Sequence, residues 1–286
     1  MLRDDFVPVA LDQAYERRRK DAIGEFYRKL AGQSPRKDFS RTTQGFYVAT
    51  ANGELLLYNN NRDPKKVRRL LEEALREFAN TEPGNDPIAT PEAADLDPRY
   101  APKPPDGGFV VRVRARVLGG YAEPSNDWQR IFHTALSRDN LWVTAKEHQA
   151  LVAGQLPRSL LRRLARFHLV DNTRGEPPMW RTDEVRALEV IRDGERIAGM
   201  VQLATSNGSR TYDTALRGRV RIEGDRVATF ELFADGLFCG EGRYTKGAPK
   251  GQFPFAVAFE LADQSDVADA IPPQGSRGWV EGYFRH

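Results

Sequence analysis

The sequence predicts an α+β protein whose C-terminal part contains a large antiparallel sheet. Three observations predict this class. After Glu184, stretches that alternate apolar and polar residues are separated by short turn sequences, as in a meander of strands curved into a sheet or barrel. Before Asn80, two stretches repeat apolar residues every three to four positions, as helices do. Between these parts, residues 81–108 show neither period.

The composition excludes several classes of protein. The chain has 286 residues, 40% of them hydrophobic, which is enough for two domains with ordinary cores. No apolar run reaches the roughly 18 residues of a membrane span, and the N-terminus lacks the basic and apolar regions of a signal peptide. The net charge of +3 includes no block basic enough to require nucleic acid. We therefore expect a soluble, cytoplasmic protein.

The chain contains one cysteine, Cys239, so an internal disulfide and a cysteine-rich metal site are both excluded. His133, His148 and His168 show none of the spacings typical of a metal-binding motif. We expect neither a metal nor a cofactor.

The first part, residues 1–80, predicts the order β-α-β-β-α. The apolar stretch at 6–11, "FVPVAL", is typical of a buried strand, and a capped helical pattern follows it at 12–32. Two apolar stretches flank Asn52-Gly53, which is the strongest signal for a two-residue hairpin turn. Asp63 then precedes a proline, as at the start of a helix.

Residues 81–108 contain seven prolines and are acidic. Because proline removes a backbone donor and disfavours regular structure, this composition is typical of a semi-extended linker. A loop packed on one of the domains is the alternative interpretation.

The remaining part, residues 109–286, begins with the alternating strand Phe109–Leu118, whose arginines predict one solvated face. Helical patterns follow, and Thr144 with Glu147 forms a capping box at the start of one of them. Five alternating stretches separated by glycine-containing turns then predict the antiparallel meander.

Residues 6–79 resemble the C-terminal part of a thioredoxin-like domain. The resemblance lies in the strand "FVPVALD", the helix to Leu30, the hairpin "GFYVATANGELLLY" and the helix "DPKKVRRLLEEALREF". The family's Cys-x-x-Cys is absent, and "SRTTQGFYV" has no proline where the family has a cis-proline. The resemblance therefore implies a redox-inactive scaffold. It also implies an uncovered sheet edge, which the second domain or a homodimer would cover.

Three functions follow from these patterns. The leading interpretation is a redox-inactive thioredoxin-like scaffold fused to a β-rich domain that binds a protein or small-molecule partner. The alternative is a thioredoxin-superfamily oxidoreductase whose Cys-x-x-Cys or selenocysteine motif lies upstream of Met1. The third is a hydrolase or lyase that uses His168.

The third function depends on the polar stretch "RFHLVDNTRGEPPMW" at 166–180. A histidine and a carboxylate there could act as a general base and its orienting partner. The candidate catalytic residues are His168, Asp171, Arg174 and Glu176, and the candidate ligand-binding residues are Trp142 and Trp180. The alternative is a helix C-terminus followed by turns, in which the same residues have only structural roles.

Overall fold

The computed structural model describes residues 1–81, 91–92, 95–100, 102–263, 265–276 and 279–285. The chain divides into two compact units, residues 1–102 and 103–286. No helix in these described ranges is both long and apolar enough to cross a bilayer.

The first unit consists of three helices and a hairpin. The elements are α1 (Gln13–Glu16), α2 (Ala22–Gly32), β1 (Phe46–Ala49), β2 (Leu55–Asn59) and α3 (Pro64–Asn80). The predicted hairpin is confirmed, because β1 and β2 pair antiparallel and Gly53 has a φ of +81° in the turn between them. The side chain of Asp63 accepts a hydrogen bond from the Lys66 amide, so the predicted start of α3 is confirmed as well.

The strand predicted at 6–11 is wrong. These residues form no strand, and Val7, Val9 and Leu11 are exposed. An apolar stretch becomes a strand only when a neighbouring strand pairs with it, and Pro8 cannot donate to such a ladder. The order of this unit is therefore α-α-β-β-α.

The single helix predicted at 12–32 is also wrong, because it is interrupted between α1 and α2. Asp21 starts a new helix by accepting a hydrogen bond from the Gly24 amide. The buried Arg19 side chain donates to both Asp21 and Glu16. The hydrogen bond from Arg19 is the main reason that the pKa of Asp21 falls to about 2.

Part of the predicted linker at 81–108 lies outside the described residues. Where it is described, Pro98–Tyr100 forms a 3-10 turn within the first unit. The Tyr100 ring meets the Tyr15 ring edge-on at 6.1 Å, and the Asp97 amide donates to Asp21. These few residues therefore pack on the first unit.

The second unit is built on an antiparallel sheet of seven strands in the order β4-β3-β9-β8-β7-β6-β5. The strands are β3 (Phe109–Val117), β4 (Asp139–Val143), β5 (Val185–Asp193), β6 (Arg196–Ala204), β7 (Thr211–Glu223), β8 (Arg226–Cys239) and β9 (Gln252–Leu261). The predicted meander is confirmed, since β5 to β9 are neighbours in sequence order. The sheet is open, with β4 and β5 at its edges, and does not close into a barrel.

The first helix of the second unit, α4 (Asp127–Thr134), has no buried residue. Three further helices pack on one face of the sheet, which we call the inner face. They are α5 (Ala145–Val152), α6 (Arg158–Arg163) and α7 (Val280–Phe284), and a π-helical turn (Leu164–His168) continues α6. Leu151, Leu160 and Leu164 enter one apolar cluster with inner-face residues such as Phe230 and Phe255. The capping box of Thr144 and Glu147 is present at the start of α5, as predicted.

Three glycines shape the middle of the sheet, one on each of three adjacent strands. Gly199, Gly218 and Gly236 lie at inner-face positions of β6, β7 and β8. A Cβ atom on Gly218 would lie 1.9 Å from the carbonyl oxygen of Glu231 on the next strand. Glycine inside a strand is typical of sites where a second backbone approaches closely. The close approach of these strands therefore requires residues without a side chain at these three positions.

We expect Gly218→Ala to lower the free energy of unfolding by about 2 kcal/mol or more, because backbone atoms would have to move. Gly119→Ala is the matched control, since its Cβ would find its nearest neighbour at 3.6 Å, an ordinary contact. Urea denaturation of both variants measures the difference. Equal stability of the two variants would contradict the steric interpretation.

Candidate functional site

The candidate catalytic histidine lies inside the second unit with partners from distant parts of the chain. The side chain of His168 is fully buried at the end of the π-helical turn. Its Nε2 lies 2.8 Å from the hydroxyl of Tyr283 on α7. Its Nδ1 lies 2.9 Å from Oδ2 of Asp139 at the start of β4, although these two atoms are not aligned as a hydrogen bond. The contact with Asp139 is therefore a close approach of two polar groups without an aligned hydrogen bond.

Asp139 and Tyr283 are held in place by further contacts. The other carboxylate oxygen of Asp139, Oδ1, accepts hydrogen bonds from the amides of Asn140 and Gln274 at 2.8 Å. Burial raises the pKa of Tyr283, so its phenol remains protonated across the physiological range. The order carboxylate, imidazole, hydroxyl is that of the side chains in a catalytic triad. Here all three side chains are buried, so a substrate has no direct access to the imidazole.

A second buried ion pair lies beside this histidine. The guanidinium of Arg163 on α6 binds Glu147 on α5 and donates to the carbonyl of Trp142 at 2.6 Å. Its Cζ lies 4.7 Å from the centre of the Tyr283 ring. Arg163 thus joins helices α5, α6 and α7 to strand β4.

The pKa of Glu147 shows how strongly this ion pair is coupled. Burial alone would raise the pKa of its carboxyl group. The charge of Arg163 and hydrogen bonds from Arg163, Ser159 and the Thr144 amide outweigh burial, and the net shift is downward. The carboxylate is therefore held in its charged form by its partners.

Two other predicted site residues pair with each other instead of with His168. Arg174 donates to Asp171 through Nη2 and to the hydroxyl of Tyr121 through Nη1, at 2.7 Å. Its Nε donates to the carbonyl of Thr245. Both charged side chains are almost completely buried. This pair fastens the segment after the π-helical turn to two neighbouring loops.

The remaining predicted site residues are divided between surface and core. Glu176 is exposed. Trp142 and Trp180 are fully buried, and neither forms the wall of an open pocket. The Trp180 indole donates to the carbonyl of Leu169 at 2.7 Å, and the guanidinium of Arg210 lies 3.8 Å from its ring centre. Both tryptophans are core residues in this structure.

The histidines have separate partners. The His133 ring stacks on Tyr121, and His148 Nδ1 lies 2.9 Å from the carbonyl of Gly107. Among the described residues, no group of three or more histidine, cysteine or carboxylate side chains could hold a metal ion.

Sequence reasoning missed Asp139, Glu147, Arg163 and Tyr283 as members of these buried networks. The capping box identified Glu147 only as a helix start. Arg163 was concealed in a run of arginines, and no local pattern connects Tyr283 with a histidine more than a hundred positions earlier.

A different polar surface lies on the opposite side of the sheet, which we call the outer face. The inter-strand pairing places Arg196, Arg219, Glu231 and Glu260 side by side on β6, β7, β8 and β9. We call these four residues the charge row. Arg219 donates to Glu231 at 2.9 Å, and Glu260 accepts from Arg114 on β3 at the same distance. Arg196 has no ion pair in the described part of the chain.

Apolar side chains lie next to the charge row. Phe233 and Leu237 on β8 are 37% and 46% exposed, and Met200 and Ile191 on the neighbouring strands β6 and β5 are more exposed. Ala198 and Ala215 lie beside Met200 at the same face, and the ion pair of Arg217 and Asp235 lies between Phe233 and the other three residues. We call the four large residues the apolar patch. The outer face thus combines flat apolar surface with ordered charges.

No family model, curated protein or solved structure matches this chain.

Proposed function

We propose that this chain is a binding protein whose interaction surface is the outer face of the seven-stranded sheet. The first unit is the redox-inactive scaffold that the resemblance of residues 6–79 to thioredoxin-like domains implies. The second unit is the β-rich binding domain.

The observation that carries the proposal is the apolar patch. A single exposed apolar residue on a protein surface is ordinary, but neighbouring ones rimmed by polar groups are typical of interaction sites. Phe233 and Leu237 lie on the same face of β8 with Asp235 between them, and Met200 lies two strands from Asp235, across Ala215. The exposed apolar side chains therefore surround the ion pair of Arg217 and Asp235, and a partner can contact both.

The buried state of the candidate catalytic residues supports binding over hydrolysis. His168 has both ring nitrogens directed at protein groups, Asp139 and Tyr283, within an enclosed core. Asp171 and Arg174 neutralise each other in a second enclosed pair. Polar and charged side chains that are already paired and buried have structural roles unless the surrounding helices move.

Site-specific photo-crosslinking tests this proposal. We expect p-benzoylphenylalanine at position 237 to give an adduct of discrete mass, either in purified protein or in an extract of the native cells. The same group at position 162, an exposed site on α6, is the control and should give no such adduct.

The second measurement tests specificity. Phe233→Asp in the chain that carries the crosslinker should abolish the adduct, because it places a charge in the apolar patch. If position 237 gives no discrete adduct, or if Phe233→Asp leaves the adduct unchanged, the outer face is not the interaction surface.

A further inference from the structure

The charge row has an order that is complementary to its own reverse. From β6 to β9 its members are Arg196, Arg219, Glu231 and Glu260, which is two bases followed by two acids. Read in the opposite direction, the row presents an acid at each position where the original has a base. A second copy turned by 180° about an axis parallel to the strands, between β7 and β8, presents this reversed order.

We propose that the partner of the outer face is a second copy of this chain, related by that two-fold axis. This inference rests on the proposed function and names its partner. In the dimer Arg219 of one copy faces Glu231 of the other, and Arg196 faces Glu260. Each of these contacts occurs twice, as a two-fold interface requires.

The neighbouring row on the outer face fits the same axis. Phe233 on β8 and Arg217 on β7 are direct partners across the two strands. The rotation therefore places Arg217 of one copy opposite Phe233 of the other, and arginine packs well on aromatic faces. Within one copy the Arg217 guanidinium already lies 5.4 Å from the centre of the Phe233 ring and pairs with Asp235. Ala258 and Ala198, which flank this pair, face each other and leave room for the rings.

The third row of outer-face residues adds a pair of opposite charges, formed by the residues at its two ends. It runs from Glu189 on β5 through Met200, Ala215, Asp235 and Ala256 to Arg116 on β3. Rotation places Glu189 opposite Arg116, which have opposite charges. Neither of these rows brings two like charges together.

The isolated chain also has a physical reason to associate. Arg196 is the direct cross-strand partner of Arg219, and Glu231 is the direct partner of Glu260. Like charges at directly opposite positions destabilise a sheet. Within one copy Arg219 already donates to Glu231 and Glu260 accepts from Arg114, so a second copy offsets only the repulsion that remains. Complementary electrostatic potentials across an interface favour one register and one partner.

The size of the surface predicts a weak dimer. Six strands spaced about 4.8 Å apart and the three rows of residues described above give roughly 600 Å² for each copy. That area lies below the ~800 Å² per partner of a standard stable interface. We therefore expect a dissociation constant in the micromolar range, which rises with salt because exposed ion pairs are screened.

Sedimentation velocity of charge-reversed full-length chains tests the two-fold dimer. Arg196→Glu with Arg219→Glu gives a wholly acidic row, and Glu231→Lys with Glu260→Lys gives a wholly basic one. The native chain should dimerise with increasing concentration. Each variant alone should remain a monomer at concentrations at least tenfold higher, and a 1:1 mixture of the two should form a heterodimer.

A double variant at exposed sites away from the outer face is the matched control. Lys146→Glu with Arg162→Glu changes the net charge by the same amount as the acidic row and should dimerise like the native chain. Circular dichroism confirms that all variants are folded. A monomeric native chain, or a mixture that does not associate, overturns the dimer. A discrete adduct of another mass from position 237 would then leave the proposed interaction surface intact.

Discussion

Arg163→Met should lower the free energy of unfolding by about 3–5 kcal/mol at pH 7. The substitution keeps an unbranched apolar stem but leaves the buried carboxylate of Glu147 without its cation, and breaking a buried pair on one side carries a cost of this size. Urea denaturation measures the loss. Arg162→Met is the control, because the neighbouring Arg162 is exposed and should change stability by less than about 0.5 kcal/mol.

The loss of unfolding free energy in Arg163→Met should depend on pH in a defined direction. In the native chain the pKa of Glu147 lies below its ordinary value of 4.5. Its stabilising contribution is therefore complete above pH 4.5 and is lost as the pH falls through the lowered pKa. Without Arg163 only burial remains as a large influence, and burial raises the pKa of the carboxyl group.

The variant should consequently lose less stability at pH 4 than at pH 7, because at pH 4 Glu147 can become protonated and neutral. Glu147→Gln in the Arg163→Met background removes the uncompensated charge and should remove this pH dependence. A destabilisation that is the same at both pH values, with or without Glu147, would show that the ion pair is not its source.

His168→Ala should lower the free energy of unfolding by about 2–4 kcal/mol. It opens a cavity in the core and leaves Asp139 and the Tyr283 hydroxyl without their shared partner. Tyr283→Phe removes only the hydroxyl and should cost about 1 kcal/mol. Urea denaturation monitored by tryptophan fluorescence measures both losses.

The same substitution separates the structural role of His168 from a catalytic one. Active-site groups are often maintained at the expense of stability, so replacing a catalytic histidine leaves folding intact or improves it. Unchanged or increased stability in His168→Ala would therefore restore the hydrolase or lyase interpretation and contradict the structural one.

The regular elements of the second unit could be predicted because their signals are local. The alternation in Phe109–Val117 sends its arginines to one face and its valines to the core, and short glycine-containing turns join β5 to β6, β6 to β7 and β7 to β8. Side-chain period and turn chemistry together determine such strands. The charge order on the outer face was not foreseen, because it depends on which residues are cross-strand neighbours and so on register.

The buried ion pairs could not be predicted from the sequence, because their signals are not local. Arg158, Arg163 and Arg166 lie in one basic run that is typical of a solvated helix face. In the structure each donates to a backbone carbonyl, those of Leu188, Trp142 and Trp180 respectively. The helical period tells which side chains share a face, but the elements that cover that face come from elsewhere in the chain.

The errors in the first unit have a related cause. "FVPVAL" has the composition of a strand, but a strand exists only with a pairing partner, and here its valines are exposed. In the described part of this unit the buried apolar residues are Tyr27, Ala31 and Ala74. With so small a core, local propensity has little tertiary packing to support it.

The position of β3 in the sheet has a consequence for the order in which the second unit folds. Strands β5 to β9 form through hairpins between successive segments, and such local closures are fast. Strand β3 instead pairs with β9, so residues 109–117 must wait until residues 252–261 have been synthesised. Strands β3 and β4 can pair with each other earlier, but the entropy of closing so long a loop must be overcome before β3 gains its contacts with β9. During synthesis on the ribosome, the unit can therefore be completed only after its last strand has emerged from the exit tunnel.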